Sequence, residues 1–278
     1  MGTTAPAPID VMAKAGGENF PVASRLLPSR EREHLLAVYG FARLVDDAGD
    51  EAPGDRLALL DELEADLARV YEGEPRHALM RRLVPTVRAC AIPREPFERL
   101  IEANRRDQRV QRYETYEELL DYCTLSADPV GEIVLHVFAA ATPERIQLSN
   151  AVCSGLQLAE HWQDVAEDSS RGRVYLPAED LRRFGVAENE LHGSHASDGF
   201  KRLMAFEVER ARTLLDRGAP LIRSLRGRPR FAVAAFVAGG RSALDAIEAA
   251  DYDVLSGSPR PSRASRARVL AKTLARRA

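Results

Sequence analysis

Apolar residues in this chain recur every three to four positions over long stretches, and alternation with a period of two is nearly absent, so the pattern predicts helices. Ser29 suits an N-cap for a helix carrying Leu35, Leu36, Val38, Tyr39, Phe41, Leu44 and Val45 and stopped by Pro53-Gly54. Asp55 caps a second helix to about Tyr71, and two more are expected over about Pro75–Cys90 and Arg94–Arg109. Thr115 and Glu118 form a capping box for a helix that Pro129 breaks or kinks, with a continuation to about Ala140. Thr142-Pro143 starts a long helix expected to run through Asp164 and Asp168 to just before Gly172. Residues 185–198 read as loop, two long helices follow at about Phe200–Arg217 and Pro229–Tyr252, and a basic tail closes the chain. Only Val174-Tyr175-Leu176 suggests strand, and it is too short to build a sheet. The expectation is one all-α domain over 18–278 with roughly ten helices, behind a flexible leader at residues 1–17.

The polar positions break the helical rules in two places. Glu160, Asp164 and Asp168 fall at i, i+4 and i+8 beside Leu158, Trp162 and Val165, so three like charges share one stripe. Asp46 and Asp50 repeat the i, i+4 spacing in the last turns of their helix, where the macrodipole disfavours anions. An isolated D-x-x-x-D is most often a solvated helix face, but two, each with Arg nearby, make a cation site the stronger reading. Paired carboxylates in a helical bundle suit Mg2+, which takes one or two per ion and completes its shell with water and phosphate. Arg43 on the face of Asp46, with Arg171, Arg173 and Tyr175 after Asp168, supplies donors for a diphosphate. The other inward positions are apolar or aromatic, so a long hydrocarbon ending in diphosphate suits both halves. Phe20, Tyr39, Phe41 and Tyr122 offer faces for a cation, with core filling as the alternative role. A di-iron site is disfavoured because Glu160-His161 lacks the Glu-x-x-His spacing; His136 and His161 read as core or surface histidines, and Trp162 as packing.

Composition narrows the partners. The 278 residues are 45% hydrophobic and 29% charged, which fits a folded chain, and a net charge of −3 gives no argument for nucleic acid. Cys90, Cys123 and Cys153 form no C-x-x-C and read as reduced thiols. No Gly-rich phosphate loop or dinucleotide fingerprint is present. No basic-then-apolar leader marks a signal peptide, so a cytoplasmic protein is expected. After Asp253 every charge is basic, from Arg260 to Arg277: either a solvated last helix or a peripheral contact with anionic lipid on the inner membrane face.

At these residues the sequence resembles the squalene/phytoene synthase family of head-to-head prenyl synthases, over roughly Glu18 to Arg260. A-V-Y-G-F-A-R-L-V-D-D-A-G-D-E (Ala37–Glu51) looks like the family's first Asp-rich helix, with Tyr39, Arg43, Asp46 and Asp50 at the family's offsets. D-Y-C-T-L-S-A-D-P-V-G (Asp121–Gly131) looks like its kinked helix, and Q-L-A-E-H-W-Q-D-V-A-E-D-S-S-R-G-R-V-Y-L-P (Gln157–Pro177) like its second Asp-rich helix. The resemblance implies the α-helical isoprenoid synthase fold around a central prenyl cavity. It also implies Mg2+ on Asp46, Asp50, Asp164 and Asp168, with Tyr39 at the catalytic centre and Phe20, Arg43, Tyr122, Arg173 and Tyr175 on the substrate.

Within the family, E-N-F-P-V-A-S-R-L-L-P (Glu18–Pro28), S-A-D-P-V-G and Y-D-V-L-S (Tyr252–Ser256) are similar to the hydroxysqualene synthase (HpnC) branch of hopanoid pathways. That implies presqualene diphosphate as substrate, loss of diphosphate to a cyclopropylcarbinyl cation, rearrangement, and capture by water without a nicotinamide. Neighbouring squalene-pathway enzymes would then hand the substrate over. Two positions depart from the family. Where condensing relatives carry a Ser-Lys-Ser-Phe type segment, this chain has Gly17-Glu18-Asn19-Phe20, which argues against a second diphosphate site. Glu160 stands where the family usually has Asn, and either adds a metal ligand or alters the number of ions. The alternatives are a condensing synthase making presqualene diphosphate, squalene or phytoene, and a degenerate member that only binds prenyl lipid.

Overall fold

The computed structural model describes residues 29–275. Phe20, Glu18–Pro28, the leader, and Arg276 and Arg277 lie outside those residues. The described chain is overwhelmingly helical, and Val174 makes one isolated bridge with Arg112 rather than a strand. It divides into two compact units: 29–109 with 125–146, and 110–124 with 147–275.

The first unit holds α1 (Ser29–Asp50), α2 (Arg56–Glu72), α3 (Ala78–Cys90), α4 (Glu95–Asp107) and α6 (Asp128–Val137). Its core gathers Phe41, Leu44, Leu60, Leu63, Met80 and Ile101, all at most 3% exposed, with Phe41 edge-on to Phe97 at 4.9 Å. Such a ring pair adds about 1 kcal/mol to the burial of its area. Asp55 caps α2 as its sequence predicts, accepting from Ala58 N at 3.0 Å. The third helix begins later than its apolar pattern suggests, at Ala78 rather than near Pro75. The buried Asp66 carboxylate accepts from the backbone N–H groups of Arg76 (2.7 Å) and His77 (2.8 Å), holding that stretch outside the helix. A neighbouring element thus sets the boundary, which a local pattern does not encode.

The second unit contains most of α5 (Tyr116–Ser126) and α7 (Pro143–Gln163), then α8 (Val165–Ser170), α9 (Ala178–Phe184), α10 (Asp198–Gly218), α11 (Pro220–Ser224), α12 (Gly227–Ala249) and α13 (Arg263–Ala275). Thr115 Oγ1 accepts from Glu118 N as the capping box requires, while the Glu118 carboxylate reaches back to Glu114 N. Trp162 is fully buried and donates its Nε1–H to the Glu207 carbonyl at 3.1 Å, tying α7 to α10. Gly218 lets these helices approach closely: a Cβ there would sit 2.7 Å from the Leu148 carbonyl oxygen.

Two expectations need correction here. The helix predicted to run unbroken toward Gly172 is interrupted at Asp164, whose φ of −105° and ψ of 16° place it near the bridge region between α7 and α8. The i→i+4 bonds survive on either side, Asp164 N to Glu160 O at 3.0 Å and Asp168 N to Asp164 O at 2.8 Å, so the break is a bend in one acidic segment. Residues 185–198 are not wholly loop: Glu188–His192 form a 3-10 turn whose Leu191 is 1% exposed. A single apolar residue among polar neighbours gives no periodic signal.

Candidate active site

In the first unit, Asp46 and Asp50 lie one turn apart near the end of α1. Asp46 stays reachable by solvent yet is crowded by protein, and desolvation raises its pKa to about 6. A hydrogen bond from Asn104 and the charge of Arg43 pull the value back down, while Asp50 and Asp47 push it up. Asn104, buried on α4, donates Nδ2 to Asp46 Oδ1 at 3.2 Å and to the Leu100 carbonyl at 3.2 Å. The chain pattern gives no hint of Asn104, which reaches Asp46 only because α4 packs on α1. Arg43 lies near Asp46 as its spacing suggests, but Nε pairs with buried Asp47 at 2.8 Å and Nη2 with Glu51 at 3.3 Å. Tyr39, one turn before Arg43, is 8% exposed and belongs to the buried side of α1.

Gly49 carries a consequence for this arrangement. A Cβ there would collide with Asn104 Oδ1 and lie 3.1 Å from Asn104 Cγ, so Gly49→Ala must turn the amide away from Asp46. Alanine favours a helix interior over glycine by about 1 kcal/mol, yet Gly49→Ala is expected to cost roughly tenfold in turnover, the lower range for losing a supporting hydrogen bond. A double-mutant cycle with Asn104→Ala checks the route: Asn104→Ala should add little on the Gly49→Ala background.

In the second unit, Asp164 is half-buried and accepts Ser258 Oγ at 2.9 Å, and Gln163 Nε2 bonds the Pro259 carbonyl beside it. Burial raises the Asp164 pKa, Ser258 opposes the rise, and Asp168 and Glu167 add to it. Asp168 Oδ2 lies 3.8 Å from His161 Nδ1. His161 is 8% exposed and stacks face to face on Tyr175, with centroids 3.6 Å apart. Tyr175 also stacks near Tyr113 (6.0 Å) and Tyr122 (6.1 Å), so the predicted Tyr122 and Tyr175 do come together. His161, Asp168, Arg173 and Tyr175 line one recess with Val165 and Leu191. Arg171, by contrast, turns outward to pair with Glu167 at 2.7 Å. The Arg173–Tyr175 segment is fixed by Val174 N donating to Gln111 O (2.9 Å) and Ala178 N to Tyr113 O (2.9 Å). Ser258 and Tyr113 are members of this site that the chain pattern does not reveal, and His161 is one that it reads as a core or surface histidine.

Among the described residues no three His, Cys, Asp or Glu side chains converge as a cage for an ion. The donor chemistry nonetheless fits a hard divalent cation. Asp46 and Asp164 are carboxylates whose charge is penalised by burial, each with a second carboxylate one turn away, and Mg2+ needs only one or two protein ligands.

An all-α chain with two such acidic segments, one of them followed by an Arg- and Tyr-lined recess, is of the isoprenoid synthase class. Residues 13–268 match the squalene/phytoene synthase family, and the chain belongs to it. It is 36% identical over 224 residues to a hydroxysqualene synthase of Sinorhizobium fredii, covering 78% of this chain and 74% of that protein. It is 32% identical over 251 residues to a 15-cis-phytoene synthase of Synechococcus elongatus, covering 85% and 82%. The structure of squalene synthase HpnC from Alicyclobacillus acidocaldarius superposes with a TM-score of 0.83 at 44% identity, covering 87% of this chain and 92% of that one. Family members process prenyl diphosphates, which fits the enzyme reading. No described helix is long and apolar enough to cross a membrane.

Proposed function

We propose that this protein converts presqualene diphosphate and water to hydroxysqualene and diphosphate. The observation that carries the reading is the 44% identity to HpnC, supported by the hydroxysqualene synthase at 36% against 32% for the phytoene synthase. Asp46, Asp50, Asp164 and Asp168 are proposed to hold Mg2+, with Glu160 as a further ligand; the ion supplies Lewis-acid neutralisation of the diphosphate as its ester bond breaks. Arg173 and Tyr175 donate to the diphosphate oxygens from the recess they share with Asp168. The neighbouring rings of Tyr113, Tyr122 and Tyr175, with centroids 5.5 to 6.1 Å apart, are proposed to supply π density near the carbocation left when the C–O bond cleaves. Water then adds its oxygen to the rearranged cation and loses one proton, so the products are a neutral alcohol and free diphosphate. Tyr39 and Arg43 are assigned to orienting the substrate end near Asp46.

A condensing activity is the second reading, favoured by the phytoene synthase match over 85% of the chain. The two separate in a product assay on the purified chain with Mg2+ and no NADPH. Presqualene diphosphate and farnesyl diphosphate are supplied in separate tubes and the lipids identified by mass spectrometry. Hydroxysqualene from the first tube alone is the expected result. Consumption of farnesyl diphosphate to a condensed product would replace this reading with the second.

A further inference from the structure

The basic character of the tail extends well beyond the tail. From Arg217 to Leu244 there is no Asp or Glu, and from Val254 to Ala275 there is none either. The first stretch covers α11 and α12 up to Leu244, leaving Asp245 and Glu248 in the last turns of α12 paired with Arg212, and the second covers α13; α12 and α13 pack on one another through the buried Val269 and the hydrogen bond from Arg241 to Thr273. In a chain of net charge −3, such segregation leaves one part of the second unit strongly positive.

The turn from α11 into α12 concentrates the effect. Arg223, Arg226 and Arg228 are exposed within six consecutive residues, and among the described residues none of them is held by a carboxylate. Three arginines elsewhere in this unit are held by carboxylates, Arg210 by Asp180, Arg212 by Asp245 and Arg112 by Glu188. Immediately after these free cations stands Phe231, 58% exposed, one of two large hydrophobic side chains in that state among the described residues. Exposed Arg263, Arg266 and Arg268 on α13 add charge on the helix packed against α12.

We infer that the α11–α12 turn, together with Phe231 in the first turns of α12, docks on an anionic phospholipid bilayer. Guanidinium groups pair with headgroup phosphates, and an aromatic ring beside them enters the boundary between headgroups and acyl chains. Nucleic acid is the less suited partner, because a lone exposed aromatic offers no run of stacking platforms for bases. The inference does not depend on which prenyl diphosphate the protein processes.

The test is co-sedimentation of the full chain with vesicles of phosphatidylcholine alone and of phosphatidylcholine mixed with phosphatidylglycerol. Binding to the anionic vesicles only, weakening steeply as salt is raised, is the expected result. Each basic residue near an anionic surface contributes about fivefold to partitioning, so Arg223→Gln/Arg226→Gln/Arg228→Gln should reduce it about 100-fold. Phe231→Ser should reduce it about tenfold while leaving the salt dependence unchanged. That second variant keeps the question answerable if the triple variant fails to fold. Equal binding to both vesicle types, wild-type binding by both variants, or tighter binding to a short DNA duplex than to anionic vesicles would overturn the inference.

Discussion

Asp164→Ala is expected to lower diphosphate release from the proposed substrate, presqualene diphosphate, by at least about 100-fold, roughly 2.7 kcal/mol in the barrier, while leaving the thermal midpoint unchanged or raised. The two halves of that expectation have different causes. Folding loses one hydrogen bond from Ser258, about 1 kcal/mol, but is relieved of a carboxylate that burial and the neighbouring Asp168 and Glu167 both disfavour. Turnover loses a carboxylate proposed to bind the metal that neutralises the leaving group. Asp46→Ala should behave alike in the first unit, since desolvation raises the Asp46 pKa to about 6 and its removal relieves that penalty. Ser258→Ala serves as the control, removing the hydrogen bond and keeping the carboxylate. Turnover within about threefold of wild type in both Asp variants would sink the metal assignment, and a collapsed midpoint would mark the carboxylates as structural.

The second large effect concerns a buried group outside the acidic segments. Glu207 on α10 is 0% exposed, and Arg210 Nη1 donates to Glu207 Oε1 (3.1 Å) and to Asp180 Oδ2 (2.5 Å). The guanidinium lies 4.2 Å from the ring centroids of both Tyr116 and Phe206. Glu207 Oε2 is buried without a hydrogen-bond partner among the described residues. Burial pushes the Glu207 pKa up to about 8; Arg210 draws it down and Asp180 raises it. Burial thus favours the protonated form of Glu207, and Arg210 pairs with Asp180 to anchor α9. Arg210→Ala strips the cation from a buried carboxylate and should cost about 3 kcal/mol, a drop of roughly 10 °C in the thermal midpoint.

The pH dependence follows from the raised folded-state value. Between the ordinary 4.5 and about 8 the folded state holds a proton that the unfolded state has released. Stability from this group is thus fully present below 4.5 and falls as pH rises, by about 1.4 kcal/mol per unit inside that window. Glu207→Gln keeps the shape and a neutral group, so it should stay within about 1 kcal/mol of wild type near pH 5 and become the more stable form near pH 8. Midpoints of both proteins across that range, subtracted pairwise, isolate the contribution. Parallel curves would show that Glu207 does not titrate in the window.

Helix positions were legible from the chain because periodicity and caps are local: Asp55 accepts from Ala58 N and Thr115 from Glu118 N as spacing alone requires. The carboxylate pairs were legible for the same reason, since i, i+4 neighbours share a face of any helix. The bend at Asp164 was not. Its i→i+4 bonds continue on both sides, so no residue type near it marks the interruption, and the contacts around it come from Ser258 and Pro259 far along the chain.

By itself, then, the sequence determined that this is a helical chain with two acidic segments and an acid-free basic end, because those features depend on residue type and short-range spacing. Tertiary structure alone decided that Asn104 supports Asp46, that Ser258 reaches Asp164, that His161 lies flat on Tyr175, and that Arg210 joins two buried carboxyl groups. Most of these contacts link residues on different elements, and which distant side chains meet is set by how helices pack, through close approaches such as Gly49 against Asn104, rather than by any period along the chain.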